Sequence, residues 1–133
     1  MSGETDLARM LASLSPQLVD GEYVFISFAN SRYGDHAELE PIAAIDETEG
    51  LTLVIPRWRA DQQQLAYESV FRRISLSVHS SLDAVGLTAE FARKLTEHGI
   101  SANVVAGFYH DHIFVQHDDA EPALAALLEL SGR

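Results

Sequence analysis

The sequence predicts an α+β protein of short strands and helices, on three observations. From Ile74 to His79, apolar residues alternate with serine and histidine, which is typical of a strand with one buried face. Leu87, Phe91 and Leu95 then recur every four residues, which indicates a helix. Further along, two β-rich runs separated by a short polar stretch indicate an antiparallel hairpin.

The remaining elements of the second half follow in order. Gly99 is expected to end the first helix as a C-terminal cap, and the hairpin turn is expected at Tyr109 to Asp111. A closing helix begins after Asp118 or Asp119 and buries a leucine stripe. The order β, α, β, β, α predicts a two-layer sandwich that lacks one strand, which the first half must provide because few residues remain.

The first half has similar element content. A short amphipathic helix and a second short helix after Pro56 are expected, and Ser31 to Glu40 is expected to be an exposed loop and the best candidate for disorder. The expected helix and strands are Leu7 to Leu14, Tyr23 to Phe28, Ile42 to Ile45 and Leu51 to Ile55. We therefore expect a pseudo-duplicated pair, with residues 1–69 as one half and 70–133 as the other, that folds around one core.

Charge and composition exclude several classes of function. A formal charge of −11 over 133 residues repels phosphate backbones and anionic lipids, so neither nucleic acid nor a membrane is an expected partner. No apolar run reaches the roughly 18 residues of a membrane span, and the first residues lack signal-peptide order, so we expect a cytoplasmic protein. The absence of cysteine excludes disulfides, thiolate metal sites and thiol nucleophiles.

Three ordered motifs carry a resemblance to a known family. They are EGLTLVIPR at Glu49 to Arg57, VHSSLDAVGLTA at Val78 to Ala89 and NVVAGFYHDHIFV at Asn103 to Val115. With them, Phe71 to Leu130 resembles the ACT domain, and the chain is similar to small bacterial tandem ACT-like proteins and, more distantly, to the arginine-sensing CASTOR proteins. The resemblance implies a ferredoxin-like βαββα(β) two-layer sandwich in tandem ACT-like units with antiparallel sheets. It also implies an amino acid or related small metabolite bound between paired units, and a homodimer.

The turn SSLDAVG, between strand and helix, is the expected ligand contact. Free backbone N–H groups and the positive end of a helix dipole suit a carboxylate there, while Asp83 can hold an amino group and Gly86 permits close backbone approach. The alternative is that these residues only cap and pack the helix. The candidate ligand-binding residues of this segment are Ser80, Ser81, Leu82, Asp83, Val85, Gly86 and Leu87.

Asn103, Val104 and His110 complete the candidate ligand-binding set. Asn103 interrupts an apolar strand, although it could equally lie on the solvent face of the sheet. His110 could contact a ligand across an interface. His110 and His112 would share a face, and could then suggest a metal site, only if one strand carries both. The expected turn separates them, so no metal and no other cofactor is predicted.

The expected function is therefore a regulatory amino-acid sensor that performs no catalysis. No phosphate-binding loop, nucleophile elbow or zinc-protease motif occurs in the sequence. The Arg57, Trp58 and Arg59 run could anchor an interface or simply begin a helix. Two alternatives stay open: a histidine-dependent metal-binding or hydrolytic protein, and a dimerisation module that binds no ligand.

Overall fold

The computed structural model describes residues 6–77 and 86–132, which form four α-helices, six strands and two short 3₁₀ turns. The 3₁₀ turns are Ala37–Leu39 and His117–Asp119. The strands are β1 Ser15–Phe28, β2 Ala43–Glu47, β3 Gly50–Pro56, β4 Phe71–Ser77, β5 Asn103–Ala106 and β6 His110–Gln116, and the helices are α1 Leu7–Ala12, α2 Arg57–Gln62, α3 Leu87–Glu97 and α4 Ala120–Leu130. The predicted α+β class is confirmed.

The chain divides into two compact units. The residues up to Val19 and those from Arg73 onward form one, called here the split unit, and Asp20–Arg72 form the other, called the inserted unit. Strands β1 and β4 each run from one unit into the other. The split unit includes α1 and the start of β1, and the division of the chain into residues 1–69 and 70–133 stays a prediction.

The split unit packs its helices on one face of strands β4, β6 and β5, which are neighbours in that order. Alternate residues of β4 and β6 supply the strand side of the core, and α3 supplies the predicted stripe. The core residues are Met10, Leu14, Ile74, Leu76, Leu87, Phe91, Leu95, Ile100, Ile113, Val115, Ala120, Ala123, Ala126 and Leu127. The packing of the hydrophobic side chains therefore confirms the expected sandwich of helices on a sheet.

The strand that the second half lacks comes from the first half, as expected. Residues 15–19 at the start of β1 belong to the split unit, and Leu18 packs against its core. Met10 and Leu14, from and beside α1, are fully buried in the same core. Residues at the two ends of the described chain are therefore needed to build one hydrophobic core.

The inserted unit has its own core, so the single core expected from the sequence is not observed. Strand β3 lies between β2 and β1 and is antiparallel to both, with Ala44 opposite Leu53 and Val24 opposite Ile55. Its buried residues are Val24, Leu39, Leu51, Leu53, Ile55 and Ala60. The hydrophobic cores of the split unit and of the inserted unit have no residue in common.

The segment Ser31 to Glu40 is ordered by its own contacts, against expectation. Leu39, the last residue of the 3₁₀ turn, is 3% exposed and packs in the core of the inserted unit. His36 stacks on Phe28 with ring centroids 4.1 Å apart and bonds to Ser31 Oγ at 3.0 Å. The polar composition of Ser31 to Glu40 predicts an exposed loop, but the one buried leucine, Leu39, holds this segment against the core.

The C-terminal cap predicted for α3 is confirmed. Ile100 N donates to Leu95 O at 3.0 Å and Gly99 N to Thr96 O at 2.9 Å, which is the Schellman pattern, and Gly99 takes the left-handed φ of 71° that it requires. None of the helices in the described residues has the length and hydropathy of a membrane span.

Candidate functional site

The candidate site lies in the split unit, at the end of β4 and the start of β6. Ser77, the last described residue before the predicted turn, hydrogen-bonds through Oγ to His110 Nδ1 at 3.0 Å. His110 therefore lies beside the strand end that leads into SSLDAVG. Five of the predicted contacts in that turn are outside the described residues: Ser80, Ser81, Leu82, Asp83 and Val85.

Gly86 and Leu87 form the start of α3. Gly86 is its N-cap with φ 98°, and a Cβ placed there would lie 3.3 Å from Leu7 Cδ2. Leu87 is 5% exposed and its side chain packs in the core, so only its backbone is available to a ligand. Glu90 N donates to Gly86 O at 3.0 Å, and the N–H groups before it lie at the helix start, where anions bind in other proteins.

Asn103 lies away from this end of the sheet. It pairs with Phe114, whereas Ala106, at the other end of β5, pairs with Asp111, so about 10 Å of strand separates the two pairs. Asn103 is exposed, and its Nδ2 donates to Phe114 O at 3.2 Å. Val104 packs against the core. The structure thus places His110 beside the end of β4, and Asn103 and Val104 toward the far end of the β5–β6 pair.

The prediction that His110 lies in the hairpin turn is wrong. β6 begins at His110, and the turn is made by Phe108 and Tyr109, which are 73% and 79% exposed. His110 and His112 therefore lie on one face of the strand, with ring centroids 6.3 Å apart. Across the described part of the chain, no three histidine, aspartate or glutamate side chains are grouped as metal ligands.

Sequence reasoning considers His112 only as a metal ligand and Asp111 only as a turn residue, so neither is among the predicted ligand contacts. Burial, Arg73 and His110 together lower the pKa of His112, and within the described residues its buried Nδ1 has no hydrogen-bond partner. Burial raises the pKa of Asp111, which is half-buried. The predicted strand begins at His112, and extending its alternation back to His110 places Asp111 on the strand as well.

Asp111 lies on the helix-facing side of β6. It alternates with Ile113 and Val115, which are buried in the core together with α3. A half-buried carboxylate on that side is stabilised by any cation that approaches it, since burial disfavours its charged form. The site thus offers helix N–H groups for an anion and Asp111 for a cation.

Comparisons with known proteins agree with this architecture. Two family models, both described as ACT domain, match residues 2–72 and 68–129. Among curated proteins, none matches the chain significantly. Sixty-four chains of solved structures do match.

Three solved structures illustrate the likeness. A protein of unknown function from Vibrio cholerae is 52% identical, with a TM-score of 0.87 over 96% of this chain and 97% of its own. A protein from Agrobacterium tumefaciens is 18% identical, with a TM-score of 0.67 over 89% of each chain. The regulatory subunit of aspartate kinase from Thermus thermophilus, in its ligand-free form, shares the fold at 11% identity, with a TM-score of 0.62 over 88% of this chain and 95% of its own. The two family matches show that the chain belongs to the ACT-domain family.

Proposed function

We propose that this chain is a cytoplasmic, non-catalytic sensor that binds an amino acid or a related small metabolite at the turn of residues 80–87, beside His110, and acts as a homodimer. The observation that carries the proposal is the hydrogen bond between Ser77 and His110, because it brings a predicted ligand contact to the strand end that enters the turn. Membership of the ACT-domain family supports a regulatory role. The fold shared with a regulatory subunit of aspartate kinase is consistent with that role.

The chemistry of the site suits a zwitterion. The start of α3 attracts a carboxylate through its free N–H groups and its dipole. Asp83 and the half-buried Asp111 would attract an ammonium group, and a cation would offset the desolvation of Asp111. The proposed ligand is therefore held at both of its charged ends.

Thermal unfolding in the presence of each of the twenty amino acids tests the proposal. A true ligand at 100 times its Kd stabilises the protein by about 2.7 kcal/mol and raises Tm by several degrees. Asp83→Ala and Asp111→Asn should each reduce that rise, because each removes an attraction for the ammonium group. Asp118→Asn is the matched control, since the Asp118 side chain is fully exposed in the 3₁₀ turn after β6.

Two outcomes would count against the sensor, and a third would count against the residues assigned to its site. A flat response to the whole panel, together with a stable dimer in sedimentation, would support the assembly module instead. An unchanged response in Asp83→Ala and Asp111→Asn would remove those residues from the site. A Tm rise with zinc that disappears in His110→Ala, but no rise with amino acids, would favour the metal-binding alternative.

A further inference from the structure

A cavity of about 280 Å³ opens in the inserted unit, away from any residue of the site above. Its floor is apolar, with Leu53 of β3 at 1% exposure and Ala44 of β2 opposite it in register. Pro41 and the 85% exposed Tyr33 line its sides. A concave, mostly apolar lining with few polar groups is the usual form of a small-molecule site, and this volume lies near the lower end of such sites.

The wall of this cavity is fixed before any ligand arrives. Asp35 Oδ2 accepts a hydrogen bond from Arg32 N at 2.9 Å, and Asp35 N donates to Arg32 O at 2.9 Å. Leu39 N donates to His36 O at 3.0 Å, and Leu39 is buried. Binding here would therefore pay little loop-ordering entropy.

The polar groups of the cavity favour a cation. Asp35 and Glu40 line it, and none of its described lining residues is lysine, arginine or histidine. Arg59 bonds to Oε2 of Glu40 from outside the lining, which leaves Oε1 as the oxygen for a ligand. Within the lining, a carboxylate ligand would meet Asp35 and the Glu40 carboxylate that Arg59 already pairs, and it would find no lysine, arginine or histidine.

We propose that this cavity binds a small organic cation with a short apolar body, such as a primary alkyl amine. The ammonium group donates to Asp35 and Glu40, and the apolar body rests on Leu53, Ala44 and Pro41. The site is separate from the proposed amino-acid site, lies in the other unit, and recognises no carboxylate. The two proposals can therefore fail independently.

Trp58 provides the measurement. It is the one tryptophan of the chain, and the Arg59 guanidinium lies 4.3 Å from its ring centroid while also bonding to Glu40. A cation that engages Glu40 changes the surroundings of Arg59 and hence the fluorescence of Trp58. Three probes share one apolar body and differ in charge: 3-methylbutylamine, L-leucine and 4-methylpentanoate. The amine should bind most tightly, leucine more weakly, and the carboxylate not at all.

Charge-removing variants locate the site. Asp35→Asn and Glu40→Gln should each weaken amine binding about tenfold, as expected for one partly solvated charged hydrogen bond. Glu38→Gln is the matched control. It removes one negative charge from the 3₁₀ turn between Asp35 and Glu40, at a residue that does not line the cavity, and it should leave amine binding unchanged. Equal affinity in Asp35→Asn and Glu38→Gln would overturn the proposal.

Amide chemical-shift mapping on the unmodified protein removes any dependence on variant folding. The amine should shift the amides of residues 33–40, 44 and 53. Shifts confined to residues 86–112, or no shifts at millimolar amine, would overturn the cavity assignment. In either case the response of the split unit to amino acids would remain a separate result.

Discussion

His112 shows how one side chain couples the candidate site to pH. Its ring shares a strand face with His110, and Arg73 on β4 adds a second positive charge nearby. Burial and both neighbours disfavour the protonated ring, so the pKa of His112 in the folded protein lies below the ordinary value of 6.5. Between these two pKa values the unfolded chain binds more protons than the folded one, and acid therefore favours unfolding.

We predict that the free energy of unfolding falls as the pH drops through 6.5, and that His112→Gln makes this fall shallower. Urea unfolding at a series of pH values measures the slope. His98→Gln, at the exposed end of α3, is the control and should keep the slope of the unmodified protein. A slope that His112→Gln leaves unchanged would show that other groups cause the pH dependence.

The residue-level errors of sequence reasoning have one physical origin. The sequence predicts the turn at Tyr109 to Asp111, whereas the turn is made by Phe108 and Tyr109 and leaves His110 and Asp111 on β6. Strand pairing of Ala106 with Asp111 fixed the register, and local polarity could not reveal it. The sequence therefore predicts His110 as a ligand contact in a turn, whereas in the structure it is the first residue of β6.

At the scale of elements, the turn between β2 and β3 depends on Gly50. Its φ is 152°, and a Cβ there would lie 2.6 Å from Phe28 O, a backbone atom that cannot move aside cheaply. Glu47 pairs with Gly50 to close the hairpin. The β2–β3 pair is therefore sensitive to any side chain at this position.

Gly50→Ala should destabilise the inserted unit by about 2 kcal/mol more than Gly34→Ala does. Both glycines have positive φ, but a Cβ at Gly34 meets nothing within 4 Å, so Gly34→Ala reports backbone strain alone. Chemical denaturation followed by Trp58 fluorescence reports on this unit. Equal losses of stability in the two variants would mean that the contact with Phe28 O relaxes freely.

Element prediction succeeded where the signals were local. The period of Leu87, Phe91 and Leu95 and the glycine that follows fixed α3 and its end. The sequence predicts β1 only from Tyr23, but the strand begins at Ser15. Pro16 and Gly21 disfavour a strand by local preference, and for that reason the first part of β1 has a weak signal in the sequence. Pairing with distant strands overrides that preference, and no local pattern encodes it.

At the scale of the whole molecule, the split unit is built from two separate stretches of chain. Met10 and Leu14 are fully buried in the same core as Phe91 and Leu127. Each buried aliphatic side chain of this kind is worth about 2–5 kcal/mol on truncation to alanine, and a small domain has only about 5–15 kcal/mol in total. A fragment cut at residue 70 would lose both.

We therefore predict that residues 70–133 alone do not form a stable fold. A permuted chain that omits residues 20–72 and joins residue 133 to residue 6 through a flexible linker should regain cooperative unfolding, because it restores both side chains. Circular dichroism and the dispersion of amide resonances compare the fragment with the permuted chain. A well-dispersed, cooperatively unfolding 70–133 fragment would show that the first residues of the chain are dispensable for this core.

The same interleaving imposes an order on folding during synthesis. Residues 20–72 leave the ribosome as a complete unit with its own core, whereas the earlier Met10 and Leu14 must wait for Phe91 and Leu127 to be translated. At about 5–20 residues per second this delay lasts several seconds. During that time the apolar face of α1 is unprotected, which makes the nascent chain, rather than the finished protein, the form most exposed to aggregation and to chaperones.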